Sequence, residues 1–135
     1  MTLTVETWCE ALESGKHKQA KERLRRGDAF CCLGLACHIS GAGKWDKGEE
    51  YHIAGETAAS EFLPDALERS LGLATDSGWF AFDSLPPELQ AEICRCAPPC
   101  RSSLIGLNDA GVPFPLIAKV IRARPKGLFR EDDQS

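Results

Sequence analysis

The sequence predicts a compact α+β domain that is mainly α-helical, with about five short helices and a small β element. Apolar residues recur at helical spacing in several short stretches, glycine and proline separate these stretches, and only one region shows two-residue spacing. With 135 residues, 43% of them hydrophobic, the chain can bury a core of its own. Residues 1–135 are therefore expected to form a single domain.

The N-terminal third predicts a helix, a link and a second helix. Residues 5–14 form the first helix, because Thr4 is a suitable N-cap and Gly15 a suitable stop. Residues 16–28 favour helix by composition but lack an apolar face, which indicates an irregular or hairpin-like link. Residues 29–39 are apolar on every side, which predicts a buried helix.

The middle of the chain has weaker signals. Tyr51 and Ile53 lie at two-residue spacing, so this region is either a short strand or an ordered loop. A helix is expected to begin at Pro64 and to end at Gly72, since proline suits a first turn and glycine a C-terminal stop. The aromatic residues within 79–82 indicate a strand or an aromatic plug.

The C-terminal third predicts three helices. One begins at the prolines 86–87 and must end before the prolines 98–99. Two shorter ones are expected to form a helical hairpin over residues 103–124, with a left-handed turn at Gly111. Residues 130–135 are expected to be a flexible tail.

Charge is divided along the chain. The basic segment 16–26 carries six cations against one acid, and the acidic middle 46–92 carries eleven acids against two bases. Basic residues return between 119 and 130, although the net charge is −4. If the two basic regions meet, they form a patch for phosphate or an acidic protein face; otherwise they are solvated surface.

The cysteines predict packing rather than chemistry. The N-terminus has no features of a secretion signal, so the protein is expected in the cytoplasm, where seven cysteines would remain reduced. The run from Phe30 to His38 contains three thiols and no acidic or basic residue before the histidine, so it should be buried. Gly34 within it would permit close approach by another part of the chain.

Zinc binding and thiol catalysis are the chemical alternatives. The C-terminal cysteines Cys94, Cys96 and Cys100 could supply three soft ligands for zinc. A fourth ligand could come from Cys37, His38 or His52. Their spacing is not that of a two-knuckle site, so no metal and no other cofactor is predicted. Cys31 and Cys32 fall near a predicted helix start, where the dipole would lower a thiol pKa. Inert core thiols are the stronger expectation, and we predict no enzyme.

Nucleic-acid binding has one feature in its favour. Residues 104–118 have the rhythm of a helix-turn-helix opening. After Ile121, however, Pro125 and Gly127 occupy the place of a recognition helix. The same segment is also compatible with a plain helical hairpin capped by Asn108 and Asp109.

Several segments together are similar to an uncharacterised family of small bacteriophage and prophage proteins. Two of them are an FCCLGxxC segment and an LNDAGxxFxxIAxxI segment, which here begin at Phe30 and Leu107. The chain departs from the family pattern at His17, where an aromatic residue is usual. The remaining matching positions are Trp8, Ala11-Leu12, Ser14-Gly15-Lys16, Leu63-Pro64, Gly72-Leu73, Pro125 and Gly127-Leu128-Phe129.

The resemblance implies a stoichiometric binding protein. We expect an inhibitor or sequestering agent acting against a host anti-phage defence component, with a host protein, a defence complex or a nucleotide-type signal as partner. The acidic middle would imitate nucleic acid, or the basic segments would hold an acidic partner. The alternatives are a DNA-binding regulator that uses the C-terminal hairpin and, less favoured, a zinc-binding or thiol-dependent protein.

The candidate binding residues are polar positions beside strongly apolar elements. Each of them has an alternative role in capping or on a solvated surface. They are Lys18, Gln19, Arg23, Asn108 and Asp109.

Overall fold

The computed structural model describes residues 3–96 and 102–130. Helix α1, Val5–Glu13, begins at the predicted N-cap Thr4. The Thr7 backbone N–H donates to Thr4 Oγ1 over 3.0 Å, and the Thr4 backbone N–H donates to Thr7 Oγ1 over 2.9 Å. This reciprocal pair satisfies two backbone groups that the helix cannot satisfy itself. The predicted first helix is confirmed and ends one residue earlier than expected.

A three-stranded sheet follows α1. Its strands are β1, Lys18–Gln19, β2, Arg25–Arg26, and β3, Ala29–Phe30. Strand β3 lies in the middle, parallel to β1 and antiparallel to β2. The hairpin-like link is therefore present as β2 and β3, whereas the helix predicted over residues 29–39 is wrong at its start, where the backbone is extended.

Helix α2, Cys32–Ser40, is the buried centre of the fold. Its N-cap is Cys31, whose Sγ accepts a hydrogen bond from the Gly34 backbone N–H over 3.3 Å. A Cβ atom on Gly34 would lie only 1.7 Å from the Leu24 carbonyl oxygen. This confirms the expected close approach. Trp8 of α1 donates from its indole Nε1 to the Cys32 carbonyl oxygen over 2.9 Å, which links α1 to α2.

The middle of the chain contains a second sheet and two helices. Strands β4, Lys44–Trp45, and β5, Tyr51–His52, form an antiparallel pair. Helix α3, Asp65–Leu71, ends at Gly72, whose φ of 73° confirms the predicted left-handed stop. A single 3₁₀ turn, Phe82–Ser84, precedes helix α4, Pro87–Cys96.

Two helices complete the described chain, α5, Leu104–Asp109, and α6, Phe114–Ala123. The turn between them has Gly111 at φ 95°, as predicted. Helix α1 packs against α6 and α2, and one core joins all six α-helices. The mainly helical α+β fold class is confirmed. Within the described ranges, no helix is long and apolar enough to cross a membrane.

Arg130, the first residue of the predicted flexible tail, is held by hydrogen bonds to the chain that follows α3. Arg130 donates from its backbone N–H to the Gly72 carbonyl oxygen over 2.9 Å and from Nε to the Leu73 carbonyl oxygen over 3.0 Å. The start of the tail is therefore held by the chain beyond α3. The rest of the predicted tail, residues 131–135, lies outside the described residues.

Candidate functional site

Three of the five candidate binding residues meet in a polar cluster around the buried side chain of Asn108, with Gln19 and Asp109 half-buried. Asn108 is fully buried, and its Oδ1 accepts hydrogen bonds from Gln19 Nε2 over 2.9 Å and from the Cys32 backbone N–H over 3.1 Å. Its Nδ2 donates to the Ala20 carbonyl oxygen over 2.7 Å. Asp109 Oδ1 accepts the backbone N–H of Glu22 over 2.8 Å. We call Gln19, Asn108 and Asp109 the polar latch.

The polar latch holds the fold together. Gln19 Nε2 also donates to the Val112 carbonyl oxygen over 2.8 Å, so β1 is fixed to the end of α5 and to the turn that follows it. A fully buried amide whose oxygen and nitrogen are already bonded has nothing to offer a partner. In this conformation Asn108 links segments of the fold rather than contacting a ligand.

The other two candidate residues point elsewhere. Lys18 Nζ lies 3.1 Å from Asp28 Oδ2, and the Lys18 side chain is 74% exposed. Arg23 Nη2 donates to the Gly48 carbonyl oxygen over 2.8 Å, in the turn between β4 and β5. The sequence-predicted set is therefore divided between a buried latch and two surface contacts.

Aromatic rings and a guanidinium form a continuous cluster at the edge of the three-stranded sheet. The Arg25 guanidinium carbon lies 5.9 Å from the Phe30 ring centroid and 5.5 Å from that of Trp45. His38 stacks on Phe30 at 4.5 Å, and His17 meets His38 edge-on at 6.0 Å. We call these five residues the cationic–aromatic surface.

The positive charge of this surface is concentrated on Arg25. Burial, followed by the nearby His17 and Arg25, lowers the pKa of His38, so its imidazole is mainly neutral at pH 7. Arg25 donates from Nε to the Gly27 carbonyl oxygen over 2.7 Å. Neither Nη atom of Arg25 has a hydrogen-bond partner in the described part of the chain. A held guanidinium with unused donors is suited to binding an acidic group.

Comparison with known proteins identifies the family. Residues 2–125 match the domain of unknown function DUF8296. The chain belongs to this family. No curated protein and no solved structure matches the chain. The DUF8296 match includes the whole polar latch and the whole cationic–aromatic surface, and it ends before the buried residues Leu128 and Phe129.

Sequence reasoning missed the cationic–aromatic surface of this DUF8296 chain. The sequence places Phe30 and His38 in a predicted buried helix and Arg25 in a general run of cations. It places Trp45 in a region predicted to be a short strand or an ordered loop. The available signal was His17, at a position where an aromatic residue was expected. The grouping depends on the cross-strand pair of Arg25 and Phe30, and strands of two residues leave no periodicity to detect.

The thiols of the α2 region are inert in their observed environment. Burial raises the pKa of Cys31 to about 11 and the pKa of Cys32 well above its usual value. The expected lowering by the helix dipole is wrong, because desolvation is the larger effect. A nucleophilic cysteine requires a thiolate that a substrate can reach.

The proposed cysteine ligands do not form a common group in the described residues. Cys37 is buried in α2, whereas Cys96 is exposed at the end of α4. Cys94 is disulfide-bonded, so the expectation that every thiol is free is wrong there. Cys100 lies outside the described residues.

The C-terminal cations are mostly neutralised by acids of other elements. Arg122 bonds to both Glu6 and Glu13 over 2.8 Å, and Lys119 lies 3.5 Å from Glu92. These contacts hold cations of α6 against α1 and α4 rather than leaving them for a shared patch with residues 16–26.

The acidic middle has a surface depression of its own. A cavity of about 670 Å³ is lined by residues 55–65. Phe62 lies among these residues, with 46% of its surface exposed, beside the exposed Glu61 and Asp65. Because residues 55–65 alone line this cavity, it does not bring together polar side chains from different elements of the fold.

Proposed function

We propose that this chain is a phage-encoded, non-enzymatic binding protein that acts stoichiometrically in the host cytoplasm. It inhibits or sequesters a component of host anti-phage defence, and its binding face is the cationic–aromatic surface. The resemblance to phage and prophage proteins supports the setting. The observation that carries the proposal is the Arg25 guanidinium, held over Phe30 and Trp45, whose Nη atoms have no hydrogen-bond partner within residues 3–96 and 102–130.

An acidic protein surface is the partner that this chemistry favours. Arginine and tryptophan are enriched at the energetic centres of protein interfaces. Stacking on the rings limits the motion of Arg25, so less conformational entropy is lost when it binds a carboxylate. Phe30 is 6% exposed and Trp45 is partly covered, so the rings position the guanidinium rather than offering an open face for a nucleobase.

Two competing functions receive less support from the geometry. A thiol-dependent activity needs a reactive thiolate, whereas the thiols of α2 are buried and protonated. A DNA-binding hairpin needs a helix with free cations, whereas Lys119 and Arg122 of α6 are paired with acids.

A pair of charge reversals tests the binding face. Arg25→Glu reverses a charge in the cationic–aromatic surface. Arg26→Glu makes the same charge reversal at the next residue of β2. Arg26 is exposed and lies 3.4 Å from Glu22. Because side chains alternate along a strand, Arg26 points away from the Phe30 ring. Both variants should fold, since an exposed cation–π contact contributes only about 0.5–1 kcal/mol.

The measurement is quantitative co-purification from the bacterial host, combined with phage plating on a defended strain. We expect wild type and Arg26→Glu to retain the same host protein at a fixed molar ratio and to restore plating. Arg25→Glu should lose both effects. Equal retention and equal plating by the two variants would place the binding face elsewhere and overturn the proposal.

A further inference from the structure

The hairpin of β4 and β5 has two chemically different faces. Alternation along the strands places Trp45 and Tyr51 on one face, where their rings lie 4.8 Å apart and pack on the core. The opposite face carries Asp46, Glu50 and His52. The His52 Nε2 atom lies 2.6 Å from Asp46 Oδ2, and one ligand atom from each of the three residues lies within 4.8 Å of the other two.

We propose that Asp46, Glu50 and His52 bind a divalent transition-metal ion of the Zn²⁺ class. The ligand set is mixed, and the imidazole distinguishes it from a simple group of acids. Two carboxylates balance the charge of a divalent ion, and a neutral imidazole favours zinc and its neighbours over magnesium or calcium. This site is separate from the proposed binding function and does not depend on it.

The distances fit such an ion with little movement. Zinc binds nitrogen and oxygen ligands at about 2.0–2.2 Å, which places tetrahedral ligand atoms about 3.4 Å apart. The three ligand atoms already lie within 4.8 Å of one another. About half of the His52 side chain and 40% of the Asp46 side chain are exposed. A hydrated ion can therefore reach the site and keep water in its remaining position.

The hairpin holds the ligands in place before any ion binds. Asp46 Oδ1 accepts the backbone N–H groups of Gly48 and Glu50 over 2.8 and 3.0 Å, which leaves Oδ2 directed toward His52. The Glu50 carboxylate is half-buried and has no hydrogen-bond partner among the described residues.

Lys44 is a cation on the same face of the hairpin as the proposed ligands. Lys44 pairs with His52 in the strand register, so the two side chains share a face. Its ammonium opposes a bound cation. Lys44→Ala should therefore strengthen metal binding without changing any ligand.

Calorimetric titration with Zn²⁺ tests the site in the full chain after removal of metal by a chelator. The background variant is Cys96→Ser, because the exposed Cys96 thiol is a competing zinc ligand. We expect saturation at one equivalent, with Glu50→Gln and His52→Gln each weakening binding by about tenfold or more. Glu61→Gln and His17→Gln are the matched controls and should bind as the background does.

A signal from the backbone amides identifies where the ion binds. Zn²⁺ should shift or broaden the NMR resonances of residues 46–52 in the background protein, and the same change in Glu50→Gln should require a Zn²⁺ concentration about tenfold higher or more. Absence of saturable Zn²⁺ binding in the background protein would overturn the proposal. Equal Zn²⁺ affinity in the background and in Glu50→Gln would overturn it as well.

Discussion

A single amide joins three distant segments of the chain at Asn108. Its bonded partners are Gln19, Ala20 and Cys32, which lie 76 to 89 residues away. From the sequence, Asn108 and Asp109 could be recognised as polar residues at a helix end, but not as a latch. The turn after α5 was predictable because a glycine such as Gly111 adopts a left-handed conformation at little cost. The latch was not predictable, because it depends on where β1 lies in the fold.

Replacing Asn108 with alanine should destabilise the protein strongly. Asn108→Ala leaves the Cys32 backbone N–H and the Ala20 carbonyl oxygen without that partner in a dry environment. Each buried group left unpaired costs about 1–3 kcal/mol. We expect the free energy of unfolding, measured by urea denaturation, to fall by about 3 kcal/mol.

Asp109→Asn is the control for this measurement. An asparagine keeps an oxygen that can accept the Glu22 backbone N–H, so the change in unfolding free energy should be small. Equal stability of Asn108→Ala and wild type would show that the latch is dispensable.

At the scale of elements, the helices with local signals were predictable, whereas among the strands only the region of β5 was indicated, as a short strand or an ordered loop. Thr4 and Gly72 mark helix ends by chemistry that acts within a few residues. Each of the five strands found in the described part of the chain has two residues, too few to show an alternating pattern within a strand. Ala29 and Phe30 form a strand only because β1 and β2 flank them. The cationic–aromatic surface depends on that sheet and was missed for the same reason.

Gly34→Ala tests the contact between α2 and the preceding loop. Alanine favours helix over glycine by about 1 kcal/mol, but its Cβ would lie 1.7 Å from the Leu24 carbonyl oxygen. The backbone would have to move, and such overpacking costs about 1–3 kcal/mol or more. We expect a net loss of stability of about 2 kcal/mol in thermal or urea unfolding.

Gly48→Ala is the matched control, since its Cβ would meet only the Asp46 side chain at 3.4 Å. That variant should unfold close to wild type. A stability gain in Gly34→Ala would show that helix propensity outweighs the close contact.

At the scale of the whole molecule, charge pairing joins the first and last helices. Arg122 near the end of α6 bonds to Glu6 and Glu13 on α1. Its hydrogen bonds are the main reason that the pKa values of both carboxyls are lowered. Their stabilising contribution is present above the ordinary carboxyl pKa and is lost as the pH falls through the lowered values.

Arg122→Gln should therefore make stability less dependent on acid. We expect urea midpoints of wild type to fall more steeply than those of Arg122→Gln between about pH 5 and pH 3. Lys119→Gln, on the same helix but paired with Glu92, should keep the slope of wild type. Parallel slopes for wild type and Arg122→Gln would show that solvent screening removes the effect.

The packing of α1 against α6 also determines when the protein can fold during synthesis. Trp8, Cys9 and Leu12 leave the ribosome before α6, which forms part of their cover and is made more than a hundred residues later. The backbone bridge between Leu73 and Phe129 likewise cannot form until Phe129 has been made. The core can therefore close only after α6 and Phe129 have emerged. Until then the apolar face of α1 remains open to solvent and to chaperones.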